Sequence, residues 1–340
     1  MLNFRNDYSG IAHEKILEAM IANKYTTYVG YGLDEVSKYA EELILQKVNN
    51  NDSRVYFLTG GTITNKVFIS HVLRPYEAVI SVDSGHINVH ETGTIEQGGH
   101  KIIASPHNNG KLNPLDIQRI CNTHLDEHMV KPKLVYITNA TEYGTIYKKQ
   151  ELIDIYNVCK KNDLYLYIDG ARLGVALTAN NNDITLEDLG KYSDAFYIGG
   201  TKNGAILGEA LVVNNKDLQK EMRYSIKHFG GMYAKGFVAG MQFKTLFEND
   251  LYFEIAKKQN ELAEYMKSKL IDLGIKFEID SDTNQLFPIF TKEVVEKLSK
   301  EIMFEFWTDN GNYKTIRFVT HFLLSKDDVD KAIDIIKNAI

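Results

Sequence analysis

The sequence predicts an α/β fold with a mostly parallel sheet between helices, followed by a smaller α+β region. The predicted strands are short apolar runs at residues 54–58, 78–82, 101–104, 134–138, 164–168, 195–198 and 210–213. Most are near-continuous in apolar character, which is typical of strands buried on both faces. Segments with helical periodicity separate several of them, at residues 64–72, 114–124 and 149–161. Alternating strands and helices of this kind produce a parallel sheet covered on both sides.

Helices are also predicted before the first strand and after the last. Residues 12–23 place apolar side chains on one helical face, and Asp34 is a suitable N-cap for a second helix. Beyond residue 247 the composition shifts to a long, lysine-rich amphipathic helix. The elements predicted from there on are helices at residues 249–273, 292–300 and 326–339, and strands at residues 276–279, 287–290 and 315–319. Residues 16–247 are therefore predicted to form a large domain, and residues 248–340 a small one.

Composition narrows the possible environments and partners. The 340 residues carry a formal net charge of -6, which gives no reason to expect nucleic acid or an anionic membrane as partner. There are only two cysteines, so a disulfide framework is not expected and a reducing cytoplasm fits best. No signal-peptide core opens the sequence, and no stretch approaches the roughly 18 apolar residues of a membrane helix.

Lys202 is the most informative residue. It follows the apolar run Phe196-Tyr-Ile-Gly and lies in a glycine-rich turn, where burying its ammonium is costly without a partner. Asp169 ends the preceding predicted strand. This pairing of an aspartate and a lysine at strand ends is what a pyridoxal-phosphate enzyme requires, with the lysine forming a Schiff base and the aspartate pairing with the pyridinium nitrogen. A surface lysine at a turn and a helix-capping aspartate are the alternatives.

Two loops could complete such a site. Thr59-Gly-Gly-Thr62 follows a strand and opens a helix, so its free N–H groups could bind a phosphate, although many α/β turns look alike. Ser84-Gly-His86 follows another strand, and the imidazole of His86 could lie against a cofactor ring or handle protons. The spacing of His86, His90 and Glu91 matches no helical zinc motif, so no metal is predicted.

Two arginines are candidates for binding a carboxylate. Arg172 lies three residues after Asp169, beside an apolar segment, and could grip a carboxylate or the ring hydroxyl. Arg317 lies within a predicted strand of the small domain and could bind a substrate α-carboxylate in bidentate fashion. The alternative for both is a solvated surface arginine.

These motifs together resemble the low-specificity threonine aldolases of the β-eliminating lyase group, which are fold-type-I pyridoxal-phosphate enzymes. Asp169-Gly-Ala-Arg172, the Lys202 segment, the Gly61-Thr62 turn and the His86 loop occur in the family's order. The resemblance extends over nearly the whole chain. Further matching segments are Phe4-Arg5-Asn6-Asp7, Tyr31-Gly-Leu-Asp34, Thr283-Asn-Gln-Leu-Phe287 and Arg317-Phe-Val-Thr-His321.

The resemblance implies a role for each matching residue. Lys202 would bind pyridoxal phosphate covalently, Asp169 would pair with its ring nitrogen and His86 would stack on the ring. Further residues implied in cofactor binding are Gly60, Gly61, Thr62, Arg172 and Lys235, and those implied in substrate binding are Arg172, Arg317, Asn6 and Tyr31. The family is dimeric or tetrameric with shared active sites, and its small domain would include residues 1–15.

Some positions depart from the family pattern. Asn6 stands where the family has a serine, and Glu142 falls near a family histidine proposed as base or hydroxyl-binding residue. Lys235 stands where an arginine would reach a neighbouring subunit's phosphate. Because exchanging histidine for glutamate changes both charge and pKa, cofactor binding is implied more firmly than the bond that is cleaved.

The expected activity is that of a pyridoxal-phosphate lyase which cleaves the Cα–Cβ bond of a small β-hydroxy-α-amino acid. The products would be glycine and an aldehyde, with His86, Glu142 or a water as the base. Three other reactions on the same scaffold stay open, namely β-elimination, transamination and racemisation, as does a non-catalytic cofactor-binding protein. The sequence does not define the substrate's side chain or stereochemistry, or the number of subunits.

Overall fold

The computed structural model describes residues 1–340, which form three β-sheets and fourteen α-helices. The strands are β1 (Leu2–Asn3), β2 (Arg54–Leu58), β3 (Glu77–Val82), β4 (Ile102–Ser105), β5 (Lys131–Thr138), β6 (Tyr165–Asp169), β7 (Ala195–Gly199), β8 (Glu209–Val213), β9 (Gln285–Leu286), β10 (Ile289–Thr291), β11 (Ile302–Met303), β12 (Glu305–Asp309) and β13 (Tyr313–Val319).

Helices pack around these sheets. They are α1 (Glu14–Ala22), α2 (Glu35–Val48), α3 (Gly61–Val72), α4 (His86–Val89), α5 (Thr94–Gln97), α6 (Pro114–Thr123), α7 (Lys149–Lys161), α8 (Leu173–Leu177), α9 (Leu186–Lys191), α10 (Met222–His228), α11 (Phe237–Glu248), α12 (Leu251–Asp272), α13 (Lys292–Leu298) and α14 (Lys326–Ala339), with a 3₁₀ turn at Lys216–Gln219. As predicted, Asp34 caps α2, where its Oδ1 accepts the N–H of Ser37 over 2.8 Å. None of the helices combines the length and apolar character needed to span a bilayer.

The large sheet has seven strands in the order β2-β8-β7-β6-β5-β3-β4, and only β8 runs against its neighbours. Successive residues of its central strands enter cores on opposite faces; Ile198 belongs to one core and Tyr197 to the other. Helices cover both faces, so the predicted mostly parallel sheet between helices is confirmed.

The C-terminal part has its own small sheet and core. β9, β10 and β12 each pair with β13 in antiparallel fashion. The predicted strand at residues 276–279 is wrong, because only an isolated bridge from Phe277 to Pro288 forms there. The start of the chain joins this part through the pairing of β1 with β11 and the burial of Phe4 in its core. The domain boundaries at residues 15/16 and 247/248 stay predictions.

Helix α12 connects the two parts. Residues near its start, such as Leu251 and Ile255, belong to a core of the large sheet. Residues further along, such as Leu262 and Met266, belong to the C-terminal core. One continuous helix of 22 residues therefore packs into both.

Candidate active site

The side chains singled out from the sequence gather at one edge of the large sheet. β2, β3, β5, β6 and β7 run in the same direction, so their carboxyl ends meet there. At or just beyond these ends lie Gly60, His86, Glu142, Asp169 and Lys202, which line one cavity of about 330 Å³. The fold thus brings residues more than 140 positions apart in the chain into a single site.

Lys202 lies in the turn after β7. Burial and the positive charge of Arg172 lower the pKa of Lys202, although nearby carboxylates act in the opposite direction. Its Nζ lies 6.0 Å from the centre of the Tyr8 ring. Because a lysine with a lowered pKa loses its proton more readily, this amine is suited to attack a carbonyl carbon.

Asp169 is fully buried and accepts hydrogen bonds at both oxygens. Oδ1 accepts the hydroxyl of Tyr197 over 2.6 Å and the backbone N–H of Ala171 over 3.0 Å. Oδ2 accepts the hydroxyl of Tyr136 over 2.6 Å and the amide of Asn65 over 3.0 Å. All four partners are donors, so both oxygens are held as hydrogen-bond acceptors, as pairing with a protonated pyridinium nitrogen requires.

Gly170 follows Asp169 because the neighbouring strand comes very close. A Cβ at this position would lie only 1.9 Å from the carbonyl oxygen of Tyr197. The close packing of β6 against β7 therefore requires a glycine at this position.

His86 and Glu142 lie side by side. The backbone N–H of His86 donates to Oε1 of Glu142 over 3.1 Å, and the hydroxyl of Thr138 donates to Oε2 over 3.0 Å. Burial raises the pKa of Glu142, and the charge of Asp169 acts in the same direction. A carboxylate with a raised pKa is a better proton acceptor near neutral pH than an exposed one.

The N-terminus of α3 forms another wall of the cavity. Gly60 is its N-cap and supplies no capping side chain, so the first N–H groups of this 12-residue helix have no side-chain acceptor. Gly60, Gly61 and Thr62 all line the cavity. Free N–H groups at the positive end of a helix dipole are suited to bind a phosphate.

Arg172 is already engaged in an ion pair. Its Nε and Nη2 donate to the two carboxylate oxygens of Asp7 over 2.7 and 3.0 Å, and both side chains are largely buried. Burial opposes the charge on Asp7, but Arg172 and Lys202 outweigh it and hold the pKa of Asp7 below its usual value. Asp7 thus occupies two of the three guanidinium nitrogens, and the role of Arg172 in gripping a substrate carboxylate or the ring hydroxyl stays a prediction.

Arg317 is less fully paired. Its Nη1 lies 3.5 Å from Oε1 of Gln285, and its Nε is buried without a hydrogen-bond partner. The guanidinium carbon lies 5.9 Å from the centre of the Trp307 ring. Arg317 lines a second cavity, of about 640 Å³, that shares Lys202, His86 and Glu142 with the first.

Comparison with known proteins shows which family this chain matches. Residues 4–293 match the model of the Beta-eliminating lyase family. The chain is 40% identical to threonine aldolase of Leishmania major, whose solved structure superposes with a TM-score of 0.98 over 99% of both chains. It is 29% identical to the low specificity L-threonine aldolase of Pseudomonas sp. strain NCIMB 10558, over 86% of this chain and 85% of the other. The low specificity L-threonine aldolase of Escherichia coli K12 is 27% identical over 97% of this chain and 96% of its own length.

The chain belongs to the Beta-eliminating lyase family. The resemblance stated from the sequence is thereby confirmed, as is the fold-type-I architecture of pyridoxal-phosphate enzymes.

Members of the Beta-eliminating lyase family use pyridoxal phosphate, and the residues of this site fit that cofactor. The uncapped start of α3 suits its phosphate, Asp169 suits its ring nitrogen and Lys202 suits its aldehyde. These three groups line the same cavity, which also includes His86 at the start of α4.

Three residues that the resemblance implied in cofactor or substrate binding line neither the cavity of Asp169 nor that of Arg317. Asn6 accepts hydrogen bonds from the backbone N–H of Tyr8 over 3.1 Å and from the hydroxyl of Ser9 over 2.7 Å. Tyr31 lines a separate small cavity beside Gly236, and Lys235 is exposed next to that glycine. The roles of these three residues in binding cofactor or substrate stay predictions.

Sequence reasoning missed several buried residues of the lyase site. Those that contact the predicted residues directly are Asp7, Asn65, Glu91, Tyr136 and Tyr197. For most of them no local pattern gives the contact, since Asp7 is 165 residues from its partner Arg172. Glu91 is the exception, because it lies only five residues from His86 and was considered from the sequence only as a metal ligand.

Glu209 was missed for a similar reason. It opens β8, lines the cavity of Lys202, and accepts the backbone N–H of Gly200 at Oε2 over 2.8 Å. Burial raises the pKa of Glu209 to about 7. In the sequence it looks like the first polar residue of an ordinary strand.

Proposed function

We propose that this protein cleaves the Cα–Cβ bond of a small β-hydroxy-α-amino acid and releases glycine and an aldehyde. The observation that carries the proposal is that Lys202, Asp169, His86 and Glu142 line one cavity. This cavity therefore combines an amine of lowered pKa, a buried acceptor for a ring nitrogen and two groups able to handle protons. The likeness to threonine aldolases over nearly the whole chain supports the same reaction.

The reaction requires a cofactor together with residues that orient the substrate and accept or hold its protons. When bound, pyridoxal phosphate supplies the aldehyde that takes up the amino group and the ring that accepts the electron pair of the broken Cα–Cβ bond. Asp169 would pair with the protonated ring nitrogen, because four donors hold its two oxygens in place as buried acceptors. Lys202 would hold the cofactor through its amine, which its lowered pKa makes available in the neutral form.

The substrate must also be oriented and lose its hydroxyl proton. Arg317 fixes the α-carboxylate through its unpartnered Nε, so that the bond to be broken is held in one direction. As the Cβ–O bond becomes a carbonyl, the hydroxyl proton passes to Glu142, directly or through a water. Glu142 is favoured over a surface carboxylate because burial raises its pKa.

Product analysis tests this function. Incubation of the purified protein with threonine is expected to yield glycine and acetaldehyde in equal amounts. Ammonia with 2-oxobutyrate would instead establish β-elimination, and an amino-acid product of inverted configuration would establish racemisation. If no substrate in a panel of β-hydroxy-α-amino acids is consumed although the cofactor is bound, the non-catalytic alternative holds.

Arg317 provides a separate prediction about substrate binding. Arg317→Met keeps the apolar stem but removes the charge, and we expect KM for the amino acid to rise about 100-fold. That rise corresponds to about 3 kcal/mol, as for the loss of two charge-assisted hydrogen bonds. Steady-state kinetics measure KM, and the exposed Arg119→Met is the matched control.

The same measurement on Arg172→Met distinguishes the two arginines. Because Arg172 is paired with Asp7, we expect this variant to lose stability as well as activity, since a buried carboxylate is left unpaired. A large rise in KM for Arg172→Met together with an unchanged KM for Arg317→Met would assign carboxylate binding to Arg172 instead.

We also propose that the protein acts as a homodimer or homotetramer with shared active sites, in the cytoplasm. Tyr31 and Lys235 lie outside the cavity of Lys202 and are both exposed, as expected of residues that serve a neighbouring subunit. The two cysteines are free, which agrees with a reducing compartment. Light scattering on the purified protein measures the number of subunits.

A further inference from the structure

A chain of buried polar groups links His86 to Asp169, and its two middle members, Glu91 and Asn65, have no part in the function proposed above. Nδ1 of His86 lies 2.8 Å from Oε1 of Glu91. The same oxygen accepts a hydrogen bond from the side-chain amide of Asn65 over 2.8 Å. That amide also donates to Oδ2 of Asp169 over 3.0 Å. Glu91 and Asp169 are therefore joined through a single amide group.

The orientation of the Asn65 amide is fixed by a tyrosine. The hydroxyl of Tyr167 donates to Oδ1 of Asn65 over 3.0 Å, so the oxygen of the amide faces Tyr167. Its nitrogen must then face Glu91 and Asp169 with both of its N–H groups. Since an amide nitrogen only donates, Oε1 of Glu91 and Oδ2 of Asp169 are both held as acceptors.

Glu91 is an unusually isolated carboxylate. Its side chain is fully buried, Oε1 takes both hydrogen bonds, and Oε2 has no partner. The ring of His86 is the only basic group within ion-pair distance of it. A buried negative charge is costly unless a positive charge or donor compensates it, and the imidazole is placed to do so.

The surroundings of His86 contain charges of both signs. The titratable groups that face its ring or its backbone are Glu91, Glu142, Asp169, Lys202 and His90, the last with its ring 5.5 Å away. Burial lowers the pKa of His86, but the hydrogen bond to Glu91 and the charge of Asp169 outweigh burial and raise it overall.

We propose that Glu91 is a positioning residue that holds His86 as an Nδ1–H donor and as a cation, with Asn65 tying this pair to Asp169. This inference rests on the proposed function for its meaning in catalysis, but the geometry on which it depends is a property of the chain itself. With Nδ1–H donated to Glu91, the cation presents a second N–H at Nε2.

His86 so held is a hydrogen-bond donor and not the base. An imidazolium has no lone pair for the substrate's hydroxyl proton, so that proton passes to Glu142 or to a water. Of the bases left open by the sequence, His86 is thereby removed.

Histidine NMR on the full-length protein with its cofactor tests the proposal without reference to activity. The chain has ten histidines, and the signal missing from His86→Asn identifies His86. In the wild type we expect Nδ1 to be protonated and the pKa of His86 to lie above its ordinary value. A wild-type spectrum in which the signal assigned to His86 shows Nδ1 unprotonated at neutral pH overturns the proposal, whatever the variants at Glu91 do.

Glu91→Gln removes the charge while keeping the size of the side chain. We expect the pKa of His86 to fall by about one unit or more, because the ion pair with Glu91 is lost. Glu96→Gln is the matched control, since Glu96 is exposed and lies five residues further on. An unchanged pKa of His86 in a folded Glu91→Gln protein would contradict the proposal.

The pH dependence of kcat/KM gives a second measurement. A reaction that needs the cationic form of His86 loses activity as the pH rises through its raised pKa. We therefore expect Glu91→Gln to move the alkaline limb to lower pH, and to do so only while His86 is present. In the His86→Phe background, Glu91→Gln is expected to leave the alkaline limb of kcat/KM where it is. A shift of equal size in that background would assign Glu91 a merely structural role.

The NMR measurement and the assay of products test different claims. Absence of lyase products would refute the proposed function, but the NMR result on His86 and Glu91 would still hold.

Discussion

Lys202→Ala is expected to abolish activity and the visible absorption of the bound cofactor together. The variant lacks the amine that holds the cofactor covalently, so kcat is expected to fall about 10⁴-fold or more, as for loss of a nucleophile. Because Lys202 only borders the cavity and pairs with no carboxylate, folding is expected to be preserved. An absorption spectrum and a glycine assay on the same sample measure both effects.

Lys216→Ala is the matched control for this variant. Lys216 follows β8 in the same part of the chain, and its side chain is 78% exposed. It is expected to keep both the visible band and full activity. A Lys202→Ala protein that retained the visible band would show that another lysine holds the cofactor, and the site proposed here would be wrong.

Asp169→Asn is expected to lower kcat/KM by roughly 10³-fold or more while the cofactor stays attached to Lys202. A neutral amide does not keep the ring nitrogen protonated, so the ring no longer stores the electrons of the broken bond. Some stability is also expected to be lost. The amide nitrogen of the new asparagine would face donors at a position where all four present partners donate.

Tyr136→Phe separates the charge of Asp169 from its hydrogen bonds. It removes one hydrogen bond of 2.6 Å to Oδ2 but leaves the carboxylate in place. We expect a loss of less than about 10-fold, as for one of several donors to the same group. If Tyr136→Phe were as inactive as Asp169→Asn, the hydrogen-bond network rather than the charge would be decisive.

The sheet and the ends of its strands were predictable from local pattern alone. Each run of apolar residues between helices leaves a polar residue where the strand stops, and parallel strands place these residues at one edge. Asp169 and Lys202 were found in this way. The starts of α2 and α14 also follow from local signals, since Asp34 and Ser325 are caps recognisable in the sequence.

The partners of these residues were not predictable in the same way. Asp7 pairs with Arg172 across 165 residues, and Asn65 donates a hydrogen bond to Asp169 across 104 residues. Such pairings depend on how helices and loops pack around the sheet, for which the sequence contains no periodic signal. Arg172 is an example, because the sequence predicted that it binds a carboxylate but not that the carboxylate of Asp7 pairs with it.

The path of α12 has a consequence for movement. A hinge needs a few residues that can change their backbone angles between two rigid bodies. Here a single uninterrupted helix is packed into both cores, from Leu251 at one end to Leu270 at the other. Substrate entry is therefore expected to involve small sliding of packed surfaces and rotation of side chains that line the cavity of Arg317, such as Tyr8 and Trp307. A large rotation of one core relative to the other is not expected.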